Sequence, residues 1–190
     1  IARGSSWLLN DLGNQILPSE LSIIEDPHRA RVARSRPFDA EGLPTQKRSI
    51  VENGVLTGWT LDLANARKLA LTSTANAARG TSAPPSPSSW NIELTQGKKS
   101  QAELLRDIGT GLLVTSMIGS TINPNTGDYS RGASGFWIEN GEIAFPVSEM
   151  TVAGNLPEMF MEMTPADDLE FRYATNAPTI RIDGMTVAGA

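Results

Sequence analysis

One imidazole, no thiol and a scatter of carboxylates bound the chemistry open to this chain. Among its 190 residues there is one His and no Cys, which rules out disulfides, thiolate metal sites and a cysteine nucleophile. A helix-borne zinc site takes two imidazoles at helical spacing with a Glu beside them. His28 instead follows Pro27 in a loop and has no second imidazole to work with. No Ser occupies the Gly-x-Ser-x-Gly elbow that exposes a hydrolytic nucleophile, so His28 reads as a surface histidine. The best-placed acid–base pair is Asp39 with Glu41, with Asp167 and Asp168 behind it. Acid–base work would need environments that split their pKa values. Turn carboxylates more often accept from backbone N–H groups or pair with an arginine, here Arg34 or Arg36, and that is the expectation for Asp39 and Glu41. The glycines around Asp128-Tyr129-Ser130-Arg131-Gly132 are not followed by Gly-Lys-Ser/Thr, so a phosphate loop is not expected.

The remaining polar chemistry looks built to hold a ligand rather than to react with one. Asn123 to Gly135 is a long, polar, Gly-rich run that leads into the aromatic pair Phe136-Trp137, and such loops over a rigid sheet often shape clefts. The net charge of −5 and scattered Lys and Arg lack the footprint of a nucleic-acid binder, so no direct nucleic-acid partner is expected. The longest mainly apolar run, Gly111 to Gly119, is interrupted by Thr115 and Ser116 and is too short to span a bilayer. Hydrophobic residues at 39% and charged residues at 19% suit one folded domain over 1–190 with a real core. The chain opens on Ile1 without Met and without a signal-peptide pattern, so a longer protein with an upstream domain is expected.

Those residues must be positioned by sheets. Ser49 to Leu56 and Phe136 to Ile143 centre on Asn-Gly, and Ile180 to Val187 centres on Asp-Gly. Both dipeptides tolerate positive φ at the two central positions of a type I′ turn, so all three segments are predicted to be tight hairpins. Closing the loops puts Val51 opposite Leu56 and Ile138 opposite Ile143. Leu21 to Glu25, Trp90 to Leu94 and a buried run from Leu112 to Ile118 are the other predicted strands. Helices are predicted from Ser5 or Ser6 to Leu12 with Gly13 behind, over Leu61 to Leu71, after a Ser100–Glu103 capping box, and after Asn155 with Pro157 in the first turn. The stretch 28–46 reads as a loop, and Thr72 to Ser89, with Ala83-Pro84-Pro85-Ser86-Pro87, as an irregular connector. Met150-Thr151-Val152-Ala153-Gly154 recurs as Met185-Thr186-Val187-Ala188-Gly189, an echo that hints at duplicated β-units. The expected fold is α+β, with a mainly antiparallel, partly closed sheet built from hairpins and three or four short helices.

The runs GSSWLLNDLGNQI from Gly4, SRPFDAEGLPT from Ser35, ENGVL from Glu52, ARKLALTSTANAARG from Ala66, the block from Asn123 to Leu156, and IDGMTVAG from Ile182 resemble the TldD/PmbA family, formerly called modulator of DNA gyrase, and within it the PmbA branch, also called TldE. The resemblance spans nearly the whole chain in consistent order and corresponds to the family's C-terminal domain. It implies a cytoplasmic peptidase of two related subunits that matures peptide precursors and degrades unfolded polypeptides. In the TldD branch a His-Glu-x-x-x-His helix and a later Cys hold the metal; the PmbA branch lacks them, and this chain has no Cys. The implied role is a subunit with no cofactor of its own, beside a TldD-like partner that carries zinc or a similar divalent metal. Its implied ligands are precursor or unfolded peptides, held by strand addition to a sheet edge. Asp128, Tyr129, Arg131 and Asn155 are the residues expected to touch peptide or partner. Two alternatives stand beside this: a metal-dependent peptidase in its own right with ligands upstream of residue 1, and a non-enzymatic module acting on DNA gyrase.

Overall fold

The computed structural model of the chain describes residues 1–189 and, at Ser120, the backbone only. In chain order its first elements are β1 (Ile23–Glu25), β2 (Arg48–Glu52), β3 (Val55–Leu56), α1 (Leu63–Lys68), β4 (Ala77–Ala78), β5 (Ser86–Pro87), β6 (Ile92–Leu94) and α2 (Gln101–Ile108). Then come β7 (Gly111–Ile122), β8 (Asp128–Glu139), β9 (Glu142–Asn155), α3 (Leu156–Met161), β10 (Met163–Pro165), β11 (Thr175–Asn176), β12 (Ile180–Ile182) and β13 (Thr186–Ala188). The fold is α+β with mainly antiparallel pairing, as the hairpin pattern predicts. The parallel exception is β11 on β6, and no sheet closes on itself among the described residues.

The contacts fall into two compact units. The first holds Ile1–Gly4, Leu9–Thr95 and Leu169–Pro178, with a five-stranded sheet ordered β11-β6-β1-β2-β3 and a small β4-β5 pair. Its first hairpin forms as predicted, with Val51 opposite Leu56 and positive φ at Asn53 and Gly54. Leu17, Leu21, Val51, Leu56 and Trp90 are buried in this unit. At its centre Glu25, 1% exposed, accepts from Arg48 Nε at 2.8 Å, Asn76 Nδ2 at 2.9 Å and the Trp90 N–H at 2.8 Å. Both carboxylate oxygens thereby find donors, two on Oε1 and one on Oε2, which is the condition for keeping a carboxylate out of water.

The second unit holds Ser5–Leu8, Gln96–Asp168 and Thr179–Ala190, with a four-stranded sheet ordered β13-β9-β8-β7 and a β10-β12 pair. The second hairpin also forms as predicted, Ile138 opposite Ile143, with positive φ at Asn140 and Gly141. The capping box closes at both ends: Glu103 N–H donates to Ser100 Oγ, and Ser100 N–H donates to Glu103 Oε2 at 2.7 Å. Ala133, Ile138, Val152 and Met159 supply buried apolar side chains.

Several expectations need correction. The helix predicted over Ser5–Leu12 is a run of turns; Ser5–Leu8 and the residues from Leu9 onward belong to different units, and Trp7 N–H donates to Pro124 O at 2.7 Å. The helix predicted over Leu61–Leu71 is shorter, capped by the Asp62 carboxylate accepting Asn65 N–H at 2.7 Å. The 72–89 connector contains β4 and β5, and Ala75, Asn76 and Ala77 are buried in it. It is ordered by remote side chains, Asp39 accepting the Ala77 N–H and Glu25 binding Asn76. The strand expected to be buried over Leu112–Ile118 is instead a sheet edge, with Ile118 75% exposed. The third hairpin does not form. β12 pairs with β10 and β13 with β9, and Gly184 but not Asp183 takes positive φ, so the type I′ turn is missing.

Candidate functional site

The four residues singled out in the sequence separate into two pairs. Asp128 and Asn155 face each other at one end of the β8–β9 ladder. Asn155 Nδ2 donates to Asp128 Oδ1 at 3.1 Å and to Thr126 O at 3.0 Å, while Thr126 Oγ1 donates to Asp128 Oδ2 at 2.6 Å. These bonds favour the charged form: the Thr126 hydroxyl first, then the Asn155 amide, hold the Asp128 carboxyl below its ordinary range against a smaller opposing effect of desolvation. Asn155 stands at the N-cap position of α3, but its side chain makes no cap bond and locks the 123–128 turn instead. Tyr129 and Arg131 alternate onto the opposite face of β8. Tyr129 OH donates to Met117 Sδ at 3.3 Å. Arg131 has a buried Nε without a partner and forms no ion pair among the described residues.

Sequence reasoning missed a further feature, a cavity of about 590 Å³ in the second unit that none of the four residues lines. Leu104 and Ile108 of α2, Met117 of β7, Ile138, Val152 and Ile180 supply apolar lining, and Gln101 and Thr179 contribute polar groups. Its signal was present in the apolar face of α2 and in the run after Gly111, but their convergence with β12 is not a local property.

The remaining candidates hold structure. Asp39, 4% exposed, accepts from the N–H groups of Glu41, Leu43 and Ala77, and Glu41 accepts from the Leu63 N–H. Asp168 accepts from the Thr179 N–H and hydroxyl, and Asp167 N–H donates to Lys99 O at 2.9 Å. His28 is exposed and lies 3.1 Å from Thr45 Oγ1. Among the described residues no three His, Cys, Asp or Glu side chains gather where a metal ion would sit. The donor set therefore does not fit a hydrolytic zinc, which takes at least three converging protein ligands. No helix among the described residues is long and apolar enough to cross a membrane.

A domain of hairpin-built sheets with a lone histidine and a polar turn locked by Asp128 and Asn155 has a family match. Residues 1–189 match the PmbA/TldA metallopeptidase C-terminal domain, and the chain belongs to that family. It is 43% identical over 190 residues to Metalloprotease PmbA of Escherichia coli O157:H7, covering 100% of this chain and 40% of that protein. It is 46% identical over 190 residues to the PmbA homolog of Haemophilus influenzae, covering 98% of this chain and 40% of that one. A putative modulator of DNA gyrase from Bacteroides thetaiotaomicron superposes with a TM-score of 0.86 at 33% identity, over 100% of this chain and 41% of that structure. The chain thus spans about 40% of the length of the curated relatives it matches.

Proposed function

We propose that the chain is part of a PmbA-like, noncatalytic subunit of a cytoplasmic heteromeric metallopeptidase, which encloses peptide substrates for a TldD-like, metal-bearing partner. The observation that carries the reading is identity of 43% and 46% to PmbA proteins over nearly the whole chain, in a sequence whose donor set is one exposed His and no Cys. The same scaffold supports the proposed ligand class: long antiparallel strands offer main-chain hydrogen bonds to an extended polypeptide with little sequence preference. Asp128 and Asn155 hold the turn that frames one end of the sheet, and the unpaired Arg131 guanidinium supplies a cation for a peptide carboxylate or an acidic partner side chain. The test is to purify the full-length protein alone and with a TldD-like partner, then assay peptide cleavage and metal content. The expected outcome is chelator-sensitive cleavage by the pair and none by this subunit alone.

A second reading is favoured by the word metalloprotease in the relatives' names: a peptidase in its own right, with ligands outside these 190 residues. Cleavage and stoichiometric metal in the full-length protein without a partner would establish it. A non-enzymatic role on DNA gyrase, for which the support is that a structural neighbour is called a putative modulator of DNA gyrase, predicts saturable binding when the protein is titrated against gyrase.

A further inference from the structure

The echo and the failed hairpin are one phenomenon. β13 pairs antiparallel with β9 in the register Thr186 to Ala153, Val187 to Val152 and Ala188 to Thr151. The two Met-Thr-Val-Ala-Gly copies are therefore paired with each other, central valine against central valine. One end is fitted as well. A Cβ on Gly189 would collide with Met150 Sδ, so the glycine closing the second copy makes room for the methionine opening the first, whereas Gly154 is crowded by Met159 of α3 and meets Met185 Cγ only at an ordinary 3.9 Å. This part of β9 accepts a strand whose β-branched residue is flanked by small ones.

Three observations make β13 an exchangeable occupant. It is exposed at all of its three residues, and it covers three positions of a fourteen-residue strand. It also has an alternative seat, because β12 pairs with β10 alone among the described strands. Closing the Asp183-Gly184 loop as a type I′ turn would lay Met185 opposite Ile182 and Val187 opposite Ile180 on the other edge of β12. Ile180 and Ile182 of β12 and Met185 before β13 all line the cavity of about 590 Å³, so both segments already border open space. What disfavours the turn is Asp183, whose φ is not positive and whose carboxylate is held by Arg181 through Nε at 2.9 Å and Nη2 at 2.9 Å. The outer edge of β7 is a poorer acceptor, since irregular register against β8 at Val114/Ser116 and Ile118/Thr121 breaks the row of donors and acceptors an added strand needs.

We propose that the β9 edge at Thr151–Ala153 is a binding site for an extended peptide with a β-branched residue between small ones, occupied here by the chain's own β13, which vacates it by folding back onto β12. For the identity of the natural ligand the inference rests on the peptide-holding role above; the exchange itself does not. The probe is a fluorescent heptapeptide with the sequence of residues 184–190, titrated against the full-length protein and followed by anisotropy, beside a scrambled control. Asp183→Asn removes the ion-paired charge and favours positive φ, and it is expected to tighten binding about fivefold. Arg181→Ala, which frees Asp183 from outside the turn, shifts binding the same way. These 190 residues hold no Cys, so with any cysteine elsewhere in the full-length protein replaced by Ser, Val152→Cys with Val187→Cys can be oxidised to fix β13 on β9. That form is expected to lose at least tenfold in affinity and to recover on reduction. Equal affinity of the oxidised and reduced forms overturns the proposal, as does a scrambled peptide that binds equally well. If the heptapeptide behaves as expected but an unfolded, carboxymethylated protein does not displace it, the acceptor site stands and the peptide-holding reading fails.

Discussion

The Glu25 carboxylate is kept out of water by Arg48, Asn76 and the Trp90 N–H, and Asp39 by backbone N–H groups. Asp39 reads correctly as a turn carboxylate because two of its three donors, the N–H groups of Glu41 and Leu43, lie within four residues, but Glu25 gives no sign of its role. Its donors Arg48, Asn76 and Trp90 lie 23, 51 and 65 residues along the chain. Arg48→Ala leaves a carboxylate that is 1% exposed without its counter-ion, so stability should fall by about 3–5 kcal/mol in urea denaturation. Asp128 gives a pH prediction. Its folded pKa is depressed by the Thr126 hydroxyl and the Asn155 amide, so its contribution is complete above the unfolded carboxylate pKa and is lost as pH falls through the lower folded value. An NMR titration should place the Asp128 midpoint below that of an ordinary Asp, and Thr126→Ala should move it back up.

Among the helices and strands, success tracked how local the determining contacts are. The Ser100–Glu103 box lies within one helical turn, and it forms as read. Ser100→Ala is expected to lower stability by about 1 kcal/mol in thermal unfolding. It should also raise the Glu103 pKa, which the Ser100 hydroxyl and then the Ser100 N–H now hold down. The two Asn-Gly hairpins form because Asn and Gly both take positive φ there. The Asp-Gly segment carries nearly the same signal, yet Asp183 is engaged by Arg181 and the following strand finds a sequence-matched partner on β9. The stretch 72–89 departs from its sequence pattern in the other direction, being ordered where an irregular connector is predicted. Its prolines exclude long strands, but side chains from 25 and 39 organise it through single hydrogen bonds.

For the chain taken entire, charge is the property with a direct experimental reading. With a net charge of −5, no saturable binding to duplex DNA is expected in anisotropy titrations at physiological salt, because there is no excess of cations to release counterions from the phosphates. Fold class, the hairpins at 49–56 and 136–143, the capped helix after Ser100 and the scarcity of metal donors all follow from composition or from residues within a few positions of one another. Folding can do little to alter such short-range preferences. The burial of Glu25 and Asn76, the exposure of β7, the cavity beside α2 and the seat of β13 are different in kind. Each is a contest between segments far apart in the chain, for which nearby residues offer two or more acceptable answers, and packing and hydrogen-bond satisfaction across that distance select one.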